Sequence, residues 1–376
     1  MPEVQEKKVE YLELIYDLIF VYLIGRNNSI LHYIEDGFVP GRVFFAYVLC
    51  SLAVIQIWNF STFYINLYGR NSVRDHIFIF INMYLLYHMA DGISTGWQAS
   101  FYQFCAAWAL ILLNIGVQHI IELRNHEAEP WAQVMIKRKA FIIIGEAVIV
   151  VIHMLVYTAT AVSIAYVPIL FGIIATALSG QINMFMPVDF AHLSERAMLY
   201  VVFTFGEMII SITAYFEGDI GFNVIYFSAM AFLIVVGLFL SYEQIYNKIV
   251  DRERTTNGTL YMMIHVFLIL ALNNISVALE FMREEEVELL HKTVFISGSF
   301  ILYFICLMAL GIYAKSRCGL NVRFYLGLGL MSLSFLVLML MLRTNMHINI
   351  AISVMYVMAI FIVLYLRGRK IISSHP

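Results

Sequence analysis

The chain is a succession of apolar runs of about twenty residues, each broken by a short polar stretch. A bilayer core about 30 Å thick takes about 20 helical residues to cross. Runs of that size fall at 9–31, 42–68, 75–94, 97–122, 138–158, 160–181, 192–216, 221–247, 257–281, 289–314, 321–343 and 346–366. The pattern predicts an all-α polytopic membrane protein of about twelve transmembrane helices. Short connections make sequence neighbours antiparallel neighbours in space. The longest connection contains RNHEAEPWAQVMIKRK and reads as a segment lying at the interface.

Offsetting the chain on itself by 182 residues places Glu13 on Glu195, Tyr64 on Tyr246 and Arg70 on Arg252, with 12 identities in the 85 pairs from Glu10 to Ser94. Two six-helix parallel repeats are therefore expected, 1–181 and 182–376. An even number of spans per half points both halves the same way, with a pseudo-two-fold along the membrane normal.

Composition and charge narrow the class. The chain is 61% hydrophobic and 13% charged, with mean hydropathy +0.82. Soluble domains carry about 25% charged residues. A net charge of −3 gives no footing for nucleic acid. With N-terminus, even-numbered connections and C-terminus on one side, that side holds 18 of the 23 Lys and Arg. Basic residues stay inside, so both termini are expected in the cytoplasm of a plasma-membrane protein, with lipids as its constant partners. The first run is charged and no small-residue cleavage site follows, so it reads as a retained span. The four cysteines form no C-x-x-C pair and no two histidines stand at i, i+4. Neither a metal nor a cofactor is expected, and nucleotide, zinc-hydrolase and serine-hydrolase motifs are missing.

Candidate chemistry lies in charges that the runs carry into the membrane. Glu10, Glu13 and Asp17 sit at i, i+3 and i+7 and line one stripe of the first helix. A charge at the bilayer centre costs roughly 2.5 kcal/mol or more, so the stripe must face protein or water. Arg26 needs a counter-charge, and Asp91 stands at a similar depth. For Asp17 the expected contact is Asn59 or Thr62, near Trp58 on the second run. The seventh run opens with His192, Glu195 and Arg196, and Glu207 lies three turns in as the deepest acid in the chain. Glu146 repeats the Gly-Glu arrangement on the fifth run, and Glu243 closes the eighth.

ELIYDLIF at Glu13–Phe20, and HLSER followed by FGE across His192–Glu207, resemble the bacterial low temperature requirement protein A family. Glu243 sits where that family also places an acid. Two positions depart from the pattern: Met208 follows Gly206-Glu207 where Ser is usual, and Ala197-Met198-Leu199 replaces Gly-Leu-Phe. The resemblance implies an integral membrane protein linked to growth in the cold, with no agreed substrate.

These residues point to an ion- or proton-linked transporter or channel with buried acids near the interface of two six-helix halves. Asp17 and Glu207 are the expected principal groups, supported by Glu13, Glu146, Glu195, Arg196 and Glu243, with Arg26, Asp91, Trp58, Asn59 and His192 as polar partners. The small ion or solute is not written in the sequence, and a homo-oligomer is an open alternative to a monomer. The competing reading is a membrane-embedded enzyme acting on lipid or a lipid-linked substrate, centred on His192, Glu195 and Arg196.

The charge bias makes a topological prediction. In a background without native cysteines, Lys8→Cys and Arg367→Cys should react with an impermeant maleimide only from the inner face, and Glu286→Cys only from the outer. Labelling of both termini from outside reverses the orientation.

Overall fold

A computed structural model describes residues 7–93, 97–126, 130–179, 188–216, 221–282, 284–316, 318 and 320–373. Among these residues there are twelve α-helices. They are α1 (Tyr11–Asn28), α2 (Gly41–Tyr68), α3 (Val73–Asp91), α4 (Trp97–Asn125), α5 (Pro130–Thr160) and α6 (Tyr166–Ser179), followed by α7 (Phe190–Ile212), α8 (Phe222–Gln244), α9 (Thr259–Phe281), α10 (Leu289–Ala309), α11 (Val322–Met341) and α12 (Met346–Ser373). The expected boundary between 181 and 182 lies outside the described residues.

Among the described residues, eight helices are long and apolar enough to cross a membrane: α2, α4, α5 and α8 to α12. α6 is apolar but has 14 residues, about 21 Å at 1.5 Å per residue. α1, α3 and α7 stand outside the eight, and each carries several charges within its length. The stretch read as an interfacial segment is helical from Pro130, the first residue of α5. Proline suits that position because its missing N–H would have had no partner in the first turn.

The helix ends follow local chemistry. Glu10 and Glu13 form a capping box at α1, and Ser72 and Asp75 form another at α3. Asn321 caps α11 by accepting from Phe324 N at 3.0 Å. Before α9 the chain turns at Gly258 with φ +67°, where a Cβ would also collide with Leu193. Glycine alone meets both demands there.

The chain divides into two compact units. The first comprises Met1–Tyr33, Gly41–Tyr200 and Glu253–Val266. Within it α1 packs on α2 and α3, α3 on α4, α4 on α5, and α2 on both α4 and α6. α2 is its centre: every residue from Ala53 to Asn66 is buried. α1 shows the pattern of a helix that faces lipid. Its acids are inside, Glu13 at 5% and Asp17 at 0% exposure, while Ile15 and Leu18 are each 51% exposed. Water would impose the reverse arrangement. On α3, Ile77, Phe80, Tyr84 and Tyr87 form a similar exposed apolar stripe.

The second unit comprises Ile34–Pro40, Val201–Arg252 and Phe267–Pro376. α8 packs along α12, which also meets α11, and α11 meets α10. Tyr303 on α10 donates to Leu238 O on α8 at 2.8 Å. Phe335 on α11 stacks on Tyr356 of α12 with ring centroids 4.1 Å apart. Leu326, Leu330, Leu333 and Met341 line the exposed side of α11.

Candidate functional site

The first unit buries a charge cluster built from α1, α2 and α7. Arg196 is fully buried. Its Nη2 lies 2.5 Å from Asp17 Oδ1, and its Nη1 lies 3.2 Å from Glu13 Oε2. Trp58 Nε1 on α2 donates to the same Asp17 oxygen at 2.9 Å. The spacing of Glu13 and Asp17, one helical turn apart, lets a single guanidinium span both. Arginine fits this place because it keeps its charge and offers several fixed donors.

His192 joins the cluster with its ring orientation fixed from behind. Asn66 Nδ2 donates to Asp189 O at 2.8 Å, and Asn66 Oδ1 accepts from Asp189 N at 3.1 Å. That paired contact settles which end of the amide is which. Its NH2 group therefore faces His192 Nδ1, 3.0 Å away, and Nδ1 accepts. The ring proton sits on Nε2, 3.3 Å from Glu13 Oε2. Asp189 also accepts from His192 N at 3.0 Å, closing the first turn of α7. Lys7 N donates to Asp189 Oδ2 at 2.7 Å, and Lys7 Nζ donates to the carbonyls of Ile65 and Gly69 at 2.9 and 2.8 Å. Burial pushes the Lys7 ammonium below the ordinary lysine range, opposed by Glu13, Asp189 and Asp75.

The cluster opens on one side. A cavity of about 710 Å³ is lined by Lys7, Glu10, Glu13, Tyr16, Ser61 and Gln118, among others. Tyr16 and Ser61 share a hydrogen bond of 2.8 Å in its wall. Near its rim Arg74 pairs with the fully buried Glu122, which also accepts from Asn125 Nδ2 at 2.8 Å. Two carboxylates, Glu13 and Asp17, thus face one guanidinium and one imidazole N–H. Beyond Arg196, Lys7 is a further cation on that wall, and Glu13 acts on it. Glu13 is the member of the cluster that this cavity reaches.

Several expectations change. Asp17 takes its α2 contact from Trp58, not from Asn59 or Thr62, because the indole N–H lies one residue earlier on the helix. Asn59 is buried, and its Oδ1 has no hydrogen-bond partner among the described residues. Arg26 and Asp91 do not pair: Asp91 accepts from Gln103 Nε2 at 3.0 Å and is exposed. Glu207 is half-buried, while Asp17, Glu122 and Glu146 are each at 0% exposure. It belongs to the second unit, where Glu280 of α9 is the charged group acting on it. Glu195 is half-buried and makes no described contact with the cluster, since α7 turns it about 100° from Arg196. Glu243, in the second unit, accepts from Asn247 Nδ2 at 3.4 Å. Glu146 accepts from Gln56 on α2 and lies outside the charge cluster. His192 is 1% exposed and faces Glu13.

Asn66, Asp189, Lys7 and Gln56 are the polar groups whose roles the sequence did not reveal. Asn66 and Gln56 sit inside an apolar run, where a buried amide needs a partner. That is the signal that could have marked them.

Arg196→Met should destabilise the protein by about 3–5 kcal/mol, because two carboxylates are left buried without their cation. The triple variant Glu13→Gln, Asp17→Asn, Arg196→Met should recover most of that loss. Thermal unfolding in detergent checks both; a single variant as stable as the parent removes the ion pairs as a structural element.

The model for the bacterial low temperature requirement A protein family matches residues 8–364. No curated protein and no solved structure matches the chain. The match spans α1 through most of α12, and with it the whole buried cluster. The chain belongs to the bacterial low temperature requirement A protein family.

Proposed function

We propose that the protein is a proton- or cation-linked transporter or channel of the bacterial plasma membrane, with both termini in the cytoplasm. One observation carries the reading. Two buried carboxylates share one arginine, and Glu13, the one of them on the wall of a polar cavity, is placed to take up a proton or cation from it. Ionisable groups placed so deep in a membrane protein commonly mark ion or proton paths. Here Asp17 is the inner acceptor, held by Trp58 and Arg196. Glu13 is the acceptor at the cavity wall, with His192 Nε2 3.3 Å from its Oε2.

Arrival of a proton on Glu13 weakens its hold on Arg196, and the guanidinium then leans wholly on Asp17. That exchange couples occupancy of the cavity to the position of α7 against α1. In this reading all twelve helices belong to the membrane domain, arranged as the halves 1–181 and 182–376. The cluster draws α1 from one half and α7 from the other. Glu207, with Glu280 near it, is a further acid pair for the same traffic, and Glu195 and Glu243 are peripheral to it.

Purified protein in proteoliposomes should dissipate an imposed pH gradient, read with an entrapped pH-sensitive dye. Asp17→Asn and Glu13→Gln should each slow that flux at least about tenfold, equivalent to about 1.4 kcal/mol or more. Leu330→Ala on the exposed face of α11 should leave it unchanged. Flux indifferent to both acid variants, or no flux under any cation gradient, overturns the assignment.

A further inference from the structure

Glu146 takes no part in the charge cluster, yet it is buried as completely as Asp17. Gln56 Nε2 on α2 donates to its Oε2 at 3.0 Å. Its Oε1 is buried and has no hydrogen-bond partner among the described residues. Helix α6 closes over the pair at Gly172, where an added Cβ would overlap both Gln56 Nε2 and the Glu146 carboxyl. Any other residue at 172 would force α6 away or break the Gln56 contact.

Among the described residues no cation pairs with this carboxyl. α6 carries no charged side chain, and α2 has only Arg42, at its far end. The histidines on the surrounding helices are engaged elsewhere: His119 Nδ1 meets Ile115 O at 2.9 Å and His153 Nε2 meets Ser163 Oγ at 3.2 Å. Lys139, the nearest cation on α5, is two turns away with its ammonium over the Phe63 ring at 5.1 Å. An ionised carboxylate sealed here would cost several kcal/mol, whereas the neutral acid keeps the Gln56 bond.

A second cavity lies nearby. It has a volume of about 520 Å³ and is lined by Ile30, Cys50, Trp108, His153 and Ile169, among others. It sits at the C-terminal end of α1, opposite the cavity beside Lys7 and Glu13. Its wall continues toward the buried pair on three helices: from His153 two turns along α5 to Glu146, from Cys50 under two turns along α2 to Gln56, and from Ile169 one turn along α6 to Gly172.

We propose that Glu146 is a proton-binding site of the first unit, separate from the Glu13–Asp17–Arg196 cluster, loaded from this second cavity and sealed by α6 at Gly172. The proton adds to Oε1 from water in the cavity and returns there on release, while Gln56 holds Oε2. Ionisation requires α6 to lift, so proton occupancy and α6 packing are one equilibrium. The site rests on the transport reading for its purpose, since it gives the opposite side of the unit its own acceptor, but its chemistry stands alone.

Dicyclohexylcarbodiimide forms a stable acylurea with protonated carboxyls in apolar surroundings, and peptide mass spectrometry locates it. Wild-type protein should carry the adduct on Glu146, with a rate that falls about tenfold per pH unit once pH passes the group's midpoint. Asp17→Asn should be labelled at Glu146 as fast as the wild type, and Glu146→Gln should lose that adduct. No adduct at Glu146, a labelling rate that ignores pH, or a rate altered by Asp17→Asn overturns the proposal. Adduct without any flux discards the transport reading and leaves the site standing; flux without adduct discards the site alone.

Discussion

A guanidinium cannot be discharged inside a membrane protein, and Arg196 is wholly buried. Everything around it follows from that demand. Its charge needs carboxylates, so α1 must turn Glu13 and Asp17 inward. Turning those acids inward leaves Ile15, Leu18 and Tyr22 on the outer face, where lipid accepts them. The helix is thereby oriented by one ion cluster, and its apolar side becomes its surface.

The second device is the line of small polar groups along α2. Ser51, Gln56, Trp58, Ser61 and Asn66 are buried at successive levels, and each contacts a different neighbour. Asn27 of α1 donates to Ser51 Oγ at 2.7 Å, and Tyr16 meets Ser61. Asn66 reads the start of α7 through Asp189. Between helices in lipid each such bond contributes about 0.6–2 kcal/mol. Their value is largely directional: a hydroxyl or amide fixes rotation about the helix axis, which leucine against leucine does not. Trp58 and Tyr64 are buried on the same stretch of α2.

Two of the deep carboxyl environments of the first unit differ in kind. Glu13 and Asp17 are held by a cation, two donors and a polar cavity. Glu146 has an amide on one oxygen and a glycine pressed against it. Identical functional groups acquire different tasks when their surroundings favour opposite charge states. On the proposed reading, one place manages ion pairs and the other manages a neutral acid.

The hydrophobic period of the chain, its charge bias and the acids inside its runs determined the membrane class and the helical fold, because lipid allows few ways to satisfy a backbone. Those features also singled out Glu13, Asp17, His192 and Arg196, since each is costly in a span. They did not determine which of them meet. Asp17 and Arg196 are separated by 179 positions, and only packing of α7 beside α1 brings them together. Helical periodicity gives the face of a residue but not its neighbour, so counting put Arg26 level with Asp91, and the two do not pair. Depth counted along a helix also differs from burial, which is why Glu207 is half-buried while Glu146 is sealed. The tautomer of His192, the contact at Gly172 and both cavities are properties of several helices at once, and no single stretch of sequence encodes them.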